Sequence, residues 1–262
     1  MRSAPRSENR LRLSAARFSL LFLIGLTAVP CLAQNLPQPA QYLAEYEVRY
    51  KGRRVARAEF SVTEDADGAY VFNSSTRARG LLRLASPNPA IERSRFAFDS
   101  GSIRPIRFLY EDGSRKGEDN YSVDFDRKAG KIRIDGANGM QSLPLEADLL
   151  DRGSLQVALM RDLSACKLPK NYRYVDDDGI NEYSYARLED QSIETGIGEL
   201  SSLRLSQQRE GSSRQTILSL SPELGFLPIR IEQIRDGETE TVFLLEDFSG
   251  PETPAADCSG FR

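Results

Sequence analysis

Residues 42–51 read Y-L-A-E-Y-E-V-R-Y-K. Tyr42, Ala44, Tyr46, Val48 and Tyr50 are apolar or aromatic, while Glu45, Glu47, Arg49 and Lys51 are charged. Such alternation puts one face of an extended strand in a core and the other in water. The pattern returns downstream. Ala58, Phe60 and Val62 alternate with Glu59, Ser61 and Thr63; Tyr121, Val123 and Phe125 with Ser122, Asp124 and Asp126; Ile132 and Ile134 sit among Lys131, Arg133 and Asp135. Turn signals separate the runs: Asp65-Ala66-Asp67-Gly68, Asp112-Gly113, Asp135-Gly136, Asn138-Gly139, Asp178-Gly179 and Asp236-Gly237. Glycine and asparagine tolerate the positive φ that tight hairpins need. Further strands are expected around Tyr172/Tyr174 and Tyr183/Tyr185, and near 197–208, 214–220, 226–235 and 239–248. The expected fold is mainly β, an antiparallel meander forming a closed or half-open barrel.

The rhythm breaks once. Residues 148–163, D-L-L-D-R-G-S-L-Q-V-A-L-M-R-D-L, place Leu155, Leu159 and Leu163 four apart with Ala158 alongside. They predict one amphipathic helix of about ten residues inserted mid-chain, packed against or across the sheet and capped by Asp151 or Ser154. The segment around Leu143-Pro144-Leu145 is apolar and unlike a linker, so residues 42–248 are read as a single β domain with a tail at 249–262.

Ahead of the domain, Arg2, Arg6, Arg10, Arg12 and Arg17 precede an apolar run from Phe18 to Val29, then Pro30 and Cys31-Leu32-Ala33. A basic region, a short apolar region and a small-residue exit describe a secretory signal, cleaved after Ala33, with a linker at 34–41. The apolar run would span only about 18 Å as helix against roughly 30 Å of hydrocarbon, which disfavours an anchor. Pro30 directly before Cys31 fits a lipid-attachment site poorly. A periplasmic protein with no transmembrane span after cleavage is expected.

Removing residues 1–33 takes away five arginines and one acid, leaving 30 basic against 37 acidic groups, a net charge of −7. Export and acidity argue against nucleic acid as a partner. Two cysteines remain, Cys166 and Cys258; in an oxidising compartment they most simply pair, the alternative being two buried thiols. The whole chain contains no histidine. That removes Ser-His-Asp and Cys-His catalysis and the usual zinc sites, and lowers the expectation of an enzyme. No cofactor or metal is implied.

Several motifs fall in a familiar order: a Tyr-rich opening strand with Gly52, I-R-P-I-R-F at 103–108, L-P at 143–144 with D-L-L-D-R-G-S at 148–154, E-T-G-I-G at 194–198 and L-G-F-L-P-I-R-I at 224–231. In this order and spacing the chain, over roughly residues 40–248, resembles the exported bacterial family of domain of unknown function 3108. The resemblance implies a β protein of the periplasm or outer envelope with no established catalytic residues. One position departs: a second glycine is expected near 56, where this chain has Ala56.

Two constellations suggest binding. Tyr46, Phe60, Phe72, Phe108, Tyr121 and Phe125, if they share the barrel interior, would line a site for an apolar or amphiphilic envelope molecule such as a lipid; the plainer reading is a filled core. Residues 77–116 carry nine basic groups against Glu92, Asp99, Glu111 and Asp112. Within them Arg77, Arg79, Arg93 and Arg95 would form a patch for anionic headgroups or an acidic envelope polymer, beside an apolar tip at Leu81-Leu82-Arg83-Leu84; the plainer reading is a solvated face. An envelope protein docked on a strand edge or on the arginines is the alternative partner.

Three other candidates are weaker. Asp176-Asp177-Asp178-Gly179 resembles a calcium loop only at its start, because the sixth position is Asn181 and the twelfth Arg187, so a hairpin turn is expected. Glu118/Asp119 and Asp124/Asp126 leave a carboxylate-based polysaccharide hydrolase as a remote reading, since the second pair sits on the polar side of a plain alternation. Ser154 lacks a G-x-S-x-G context and is explained by helix capping.

Overall fold

Lys51 and Gly52 both take positive φ, 46° and 78°, as a two-residue primed turn requires, and Tyr50 pairs with Arg53 across them. This turn joins β1 (Tyr42–Tyr50) to β2 (Arg53–Glu64). The register then shifts, from Arg49 opposite Arg54 to Val48 opposite Ala56. Val55 is the extra residue of a β-bulge, beside the position where the resemblance implies a second glycine. Ala56 itself is buried.

The computed structural model describes residues 39–99, 101–251 and 258. The expected signal segment and most of the linker lie outside the described residues. After β2 the chain meanders through β3 (Tyr70–Ala78), β4 (Ala90–Asp99), β5 (Ser102–Glu111), β6 (Tyr121–Asp126), β7 (Lys131–Gly136) and β8 (Gly139–Pro144), each antiparallel to the last. Helix α1 (Arg152–Ser164) follows. The chain then returns through β9 (Asn171–Asp176), β10 (Gly179–Arg187), β11 (Gln191–Thr195), β12 (Gly198–Arg209), β13 (Arg214–Ser221), β14 (Leu227–Arg235) and β15 (Glu238–Ser249). The strand order is β8-β7-β6-β5-β4-β3-β2-β1-β15-β14-β13-β12-β10-β9, with β11 hairpinned onto β12. The chain starts in the middle of the sheet, works out to one edge, crosses by α1 to the other edge and works back to the middle.

The barrel is half-open. Leu150, just before α1, forms a parallel bridge to Tyr174, its N–H donating to the Arg173 carbonyl at 3.1 Å and its carbonyl accepting from Val175 N–H at 2.8 Å. This covers the edge of β9. Among the described residues β8 has β7 on one side and no strand on the other.

Asp151 caps α1 in a capping box: its side chain accepts from Ser154 N–H at 2.9 Å and Ser154 Oγ accepts from Asp151 N–H at 2.9 Å. At the other end Cys166 takes a left-handed φ of 54°. Its N–H donates to Leu163 and that of Lys167 to Asp162, the pairing of a Schellman motif, with cysteine where glycine is usual. The helix runs thirteen residues, and every one is buried or half-buried. It packs against β3, β4, β5 and β9 on the concave side of the sheet. Its charged side chains are paired. Arg152 meets Glu92 at 2.7 Å, Arg161 donates to the Gly101 carbonyl at 2.6 Å, and Asp162 accepts from the Tyr172 hydroxyl at 2.6 Å.

Close approach explains two glycines. A Cβ on Gly153 would lie 2.6 Å from Ser94 Cβ and 2.7 Å from Phe72 Cδ1, so glycine lets the first turn of α1 sit down on the sheet. A Cβ on Gly196 would lie 2.2 Å from the Glu246 carbonyl oxygen, while Gly196 N–H donates to Leu245 at 2.9 Å. That contact fixes the tip of the β11–β12 hairpin on β15. Cys166 and Cys258 form a disulfide with Cα atoms 5.2 Å apart, which ties the tail to the end of α1.

Gly153→Ala and Gly196→Ala should each destabilise the protein by about 1–3 kcal/mol in urea unfolding, Gly196→Ala more, because backbone yields less readily than a side chain. Cys258→Ala should cost on the order of 4 kcal/mol through loss of the long cross-link. Cys166→Gly loses the same link but relieves the left-handed residue, so it should be the milder of the two by about 1 kcal/mol.

Candidate functional site

The structure brings the six interior aromatics into two groups, not one. Tyr46, Phe60 and Phe72 belong to a core cluster that includes Leu155, Val157 and Ala158 of α1. Their rings meet tilted and in sequence, Tyr46 to Phe60 at 4.6 Å and Phe60 to Phe72 at 6.1 Å between centroids. The Tyr46 hydroxyl donates to the Pro228 carbonyl at 2.8 Å, and burial raises its pKa well above the ordinary tyrosine value. Phe108, Tyr121 and Phe125 lie in a second cluster with Ile132, Ile134 and Leu149, and the Tyr121 hydroxyl donates to Asp176. All six are buried. What the strands would have left hollow, α1 occupies.

An apolar cavity of about 160 Å³ remains at one end of the sheet, lined by Tyr42, Val62, Val157, Met160 and Phe248 among others. A cavity near 150 Å³ takes a benzene-sized guest, whereas pockets for larger ligands run from about 300 to 1,000 Å³. An open polar cleft of about 540 Å³ lies elsewhere, beside Arg187, Asp190, Ser202 and Phe226.

The four arginines expected to form a patch share the outer face but not one place. Arg95 stands opposite Val71 and Arg93 opposite Asn73. Val71 is six residues from Arg77, which puts Arg95 about 20 Å away along the strands. Arg95 is already held by Asp65 at 3.1 Å and by Asp67. Arg77 and Arg79 instead join Arg57 and Arg83 around a groove of about 460 Å³. Arg57 escaped the sequence reading although its signal was present. Once the hairpin turn is centred on Asp67, Arg57 and Arg77 are equidistant from it and therefore pair.

The remaining candidates have structural places. Asp176-Asp177-Asp178 form the β9–β10 turn, where Asp178 binds Arg209 at 3.1 Å and Asn181 at 2.6 Å. Asp124 pairs with Arg107 and Asp126 with Arg133, both at 3.5 Å, and Glu118 with Lys116 at 3.2 Å. Ser154 is buried in the capping box.

Asp151 is a buried titratable group that joins α1 to the sheet, its Oδ2 accepting from the Ser94 hydroxyl at 2.9 Å. Burial pushes its carboxyl up to about 6, against the opposing pull of the Ser154 and Ser94 hydrogen bonds. The folded protein therefore holds this proton more tightly than the unfolded chain, whose aspartate titrates near 3.8. The group's contribution is largest below about pH 4 and falls by about 3 kcal/mol as pH rises through about 6. Asparagine can still cap a helix. Asp151→Asn should remove this descent, and unfolding free energies of wild type and variant between pH 4 and 7, about the window this carboxyl titrates in, would check it.

No curated protein matches this chain. Several solved structures are similar at low identity, three of them as follows. A β-barrel-like protein of domain of unknown function DUF1849 from Brucella abortus covers 83% of this chain and 100% of its own, at 10% identity and a TM-score of 0.49. MucB covers 86% of this chain and 58% of its own, at 12% identity and a TM-score of 0.34. A protein from Bacteroides fragilis, described as exported and with a YmcC-like fold, covers 82% of this chain and 98% of its own, at 10% identity and a TM-score of 0.36. These are likenesses in the course of the chain and carry no activity across. The family model described as "Protein of unknown function (DUF3108)" matches residues 45–244, from β1 to β15, and the chain belongs to that family.

Proposed function

We propose that the protein is a non-catalytic component of the bacterial cell envelope, exported to the periplasm, that serves as a scaffold or assembly partner for other envelope proteins. The observation that carries this reading is the filled interior. With α1 seated among Tyr46, Phe60 and Phe72, binding falls to the outside of the molecule. The open edge of β8 offers backbone donors and acceptors to an extended segment of a partner, which is the way sheets recruit peptides. Met140 on that strand is 74% exposed. The non-catalytic part rests on the absence of histidine and on carboxylates engaged in ion pairs on the outer face. Export rests on the basic and apolar segments before Ala33.

A second reading is favoured by the apolar cavity at Tyr42, Val62, Met160 and Phe248. There the protein would bind an amphiphilic envelope molecule such as a lipid by a short apolar portion.

A photo-cross-linking residue at Met140 should give a discrete adduct in living cells, and one at the buried Phe72 should not. Native mass spectrometry of residues 34–262, purified without detergent, should find the protein empty. A stoichiometric lipid with no adduct at Met140 would replace the scaffold reading by the second one.

A further inference from the structure

Gly80–Leu84, the sequence G-L-L-R-L, forms a short 3₁₀ turn between β3 and β4 that contributes no buried residue. Leu81 is 85% exposed, Leu82 50% and Leu84 69%. Scattered surface leucines need no explanation, but three within four residues on a protruding turn do. Leu81 and Leu84 are three apart, so a 3₁₀ turn stacks them on one side. Folding does not account for them, since they add nothing to any core cluster.

The ground behind this tip is basic. Arg57, Arg77, Arg79 and Arg83 line the adjoining groove, with Glu59 as the acid among the lining residues. Arg57 leans towards Glu45 at 3.5 Å. Among the described residues Arg77, Arg79 and Arg83 enter no ion pair, whereas Arg95, Arg104, Arg107 and Arg133 on the same sheet all do. The β1–β2 hairpin, tied to this corner by the Arg79 N–H to Val55 carbonyl bond of 2.8 Å, adds exposed Lys51 and Arg53. The β14–β15 hairpin, with Asp236, Glu238 and Glu240, bounds the basic area on the far side. A concentration of unpaired arginine on a chain that is acidic after residue 33 calls for an anion.

We propose that this corner docks on the surface of an anionic phospholipid bilayer, with Leu81, Leu82 and Leu84 entering the headgroup–acyl boundary and Arg57, Arg77, Arg79 and Arg83 meeting phosphates. Anion and hydrocarbon lie next to each other at a bilayer surface in the same order as arginine and leucine here. A protruding turn suits a fluid surface, where a protein partner would have to present a pocket of matching shape. The planar guanidinium forks phosphate oxygens in pairs. A few apolar side chains give only weak attachment, and a basic patch beside them supplies the second signal that reversible docking needs. The inference stands apart from the strand-edge reading, because β8 lies at an edge of the sheet remote in strand order from β3 and β4.

The test is co-sedimentation of residues 34–262 with vesicles of phosphatidylethanolamine and phosphatidylglycerol, and with vesicles of neutral phosphatidylcholine. Binding should favour the anionic vesicles and weaken as salt is raised. Arg77→Gln and Arg83→Gln should each weaken it about fivefold, and Leu81→Ser with Leu84→Ser about tenfold or more. Thermal unfolding of the leucine variant should match wild type, since no core is touched. Arg93→Gln should leave binding unchanged. Equal affinity for both vesicle types, or full binding by the leucine variant, would overturn the proposal. So would a dimer in solution, seen by sedimentation velocity, that the leucine substitutions dissolve: the tip would then be a contact between copies of this chain.

Discussion

A sheet that curls without closing has a concave apolar face that water must not reach, and α1 is what keeps water out. The rest of the architecture follows from seating that helix. It links the two edge strands, so the chain must cross the hollow once. Its first turn comes close enough to the sheet to require Gly153, and Asp151 is buried to cap the helix and meet Ser94 at the same time. At its far end a Schellman turn puts Cys166 in position for the disulfide. Helix–sheet packing here is secured at both ends by polar or covalent contacts and along its length by leucines.

Because the helix is enclosed, its charged side chains obey the rule for buried charge: each has a partner. Arg152 has Glu92, and Asp162 has Tyr172. Leaving either alone would cost more than the pair contributes. The outer face works by a different rule. There most arginines are matched by acids across a strand, and the pairs stabilise little. The mismatch around Arg77 is therefore informative in a way that a matched pair is not.

Much of the fold was legible in residues such as Tyr42, Ala44, Tyr46 and Val48, whose alternation needs only one sequence window to read. The helix was legible from its leucine spacing and its cap from Asp151, though not its enclosure, because nothing local says what lies on the far side of Arg152 or Asp162. Strands without a clean buried face were hard to see. β8 alternates between exposed and half-exposed positions. In β5, Pro105 sits inside the strand, where proline argues against one; the β-bulge opposite Phe96 accommodates it. The candidate sites depended on register, which the sequence carries weakly. Whether Phe60 faces Phe108 or Tyr46, and whether Arg77 faces Arg93 or Arg57, is decided by where each turn is centred and where a bulge shifts the register. Cys166 with Cys258 was readable because no other partner was left for either.

The pairing of β1 with β15 sets a timetable. The strand at the centre of the sheet is the first to be made, and its second neighbour is the last. For a chain made from its N-terminus, one edge of β1 stays open while almost the whole domain arrives. Tyr46 and Val48 gain their final neighbours only when β15 is in place. Pairings so distant in sequence form slowly. During that interval the unfinished meander is an adhesive half-sheet, and its safe passage depends on how fast the remainder follows or on what shields it meanwhile. The seam between first and last strands is thus where assembly of this protein is most exposed to failure.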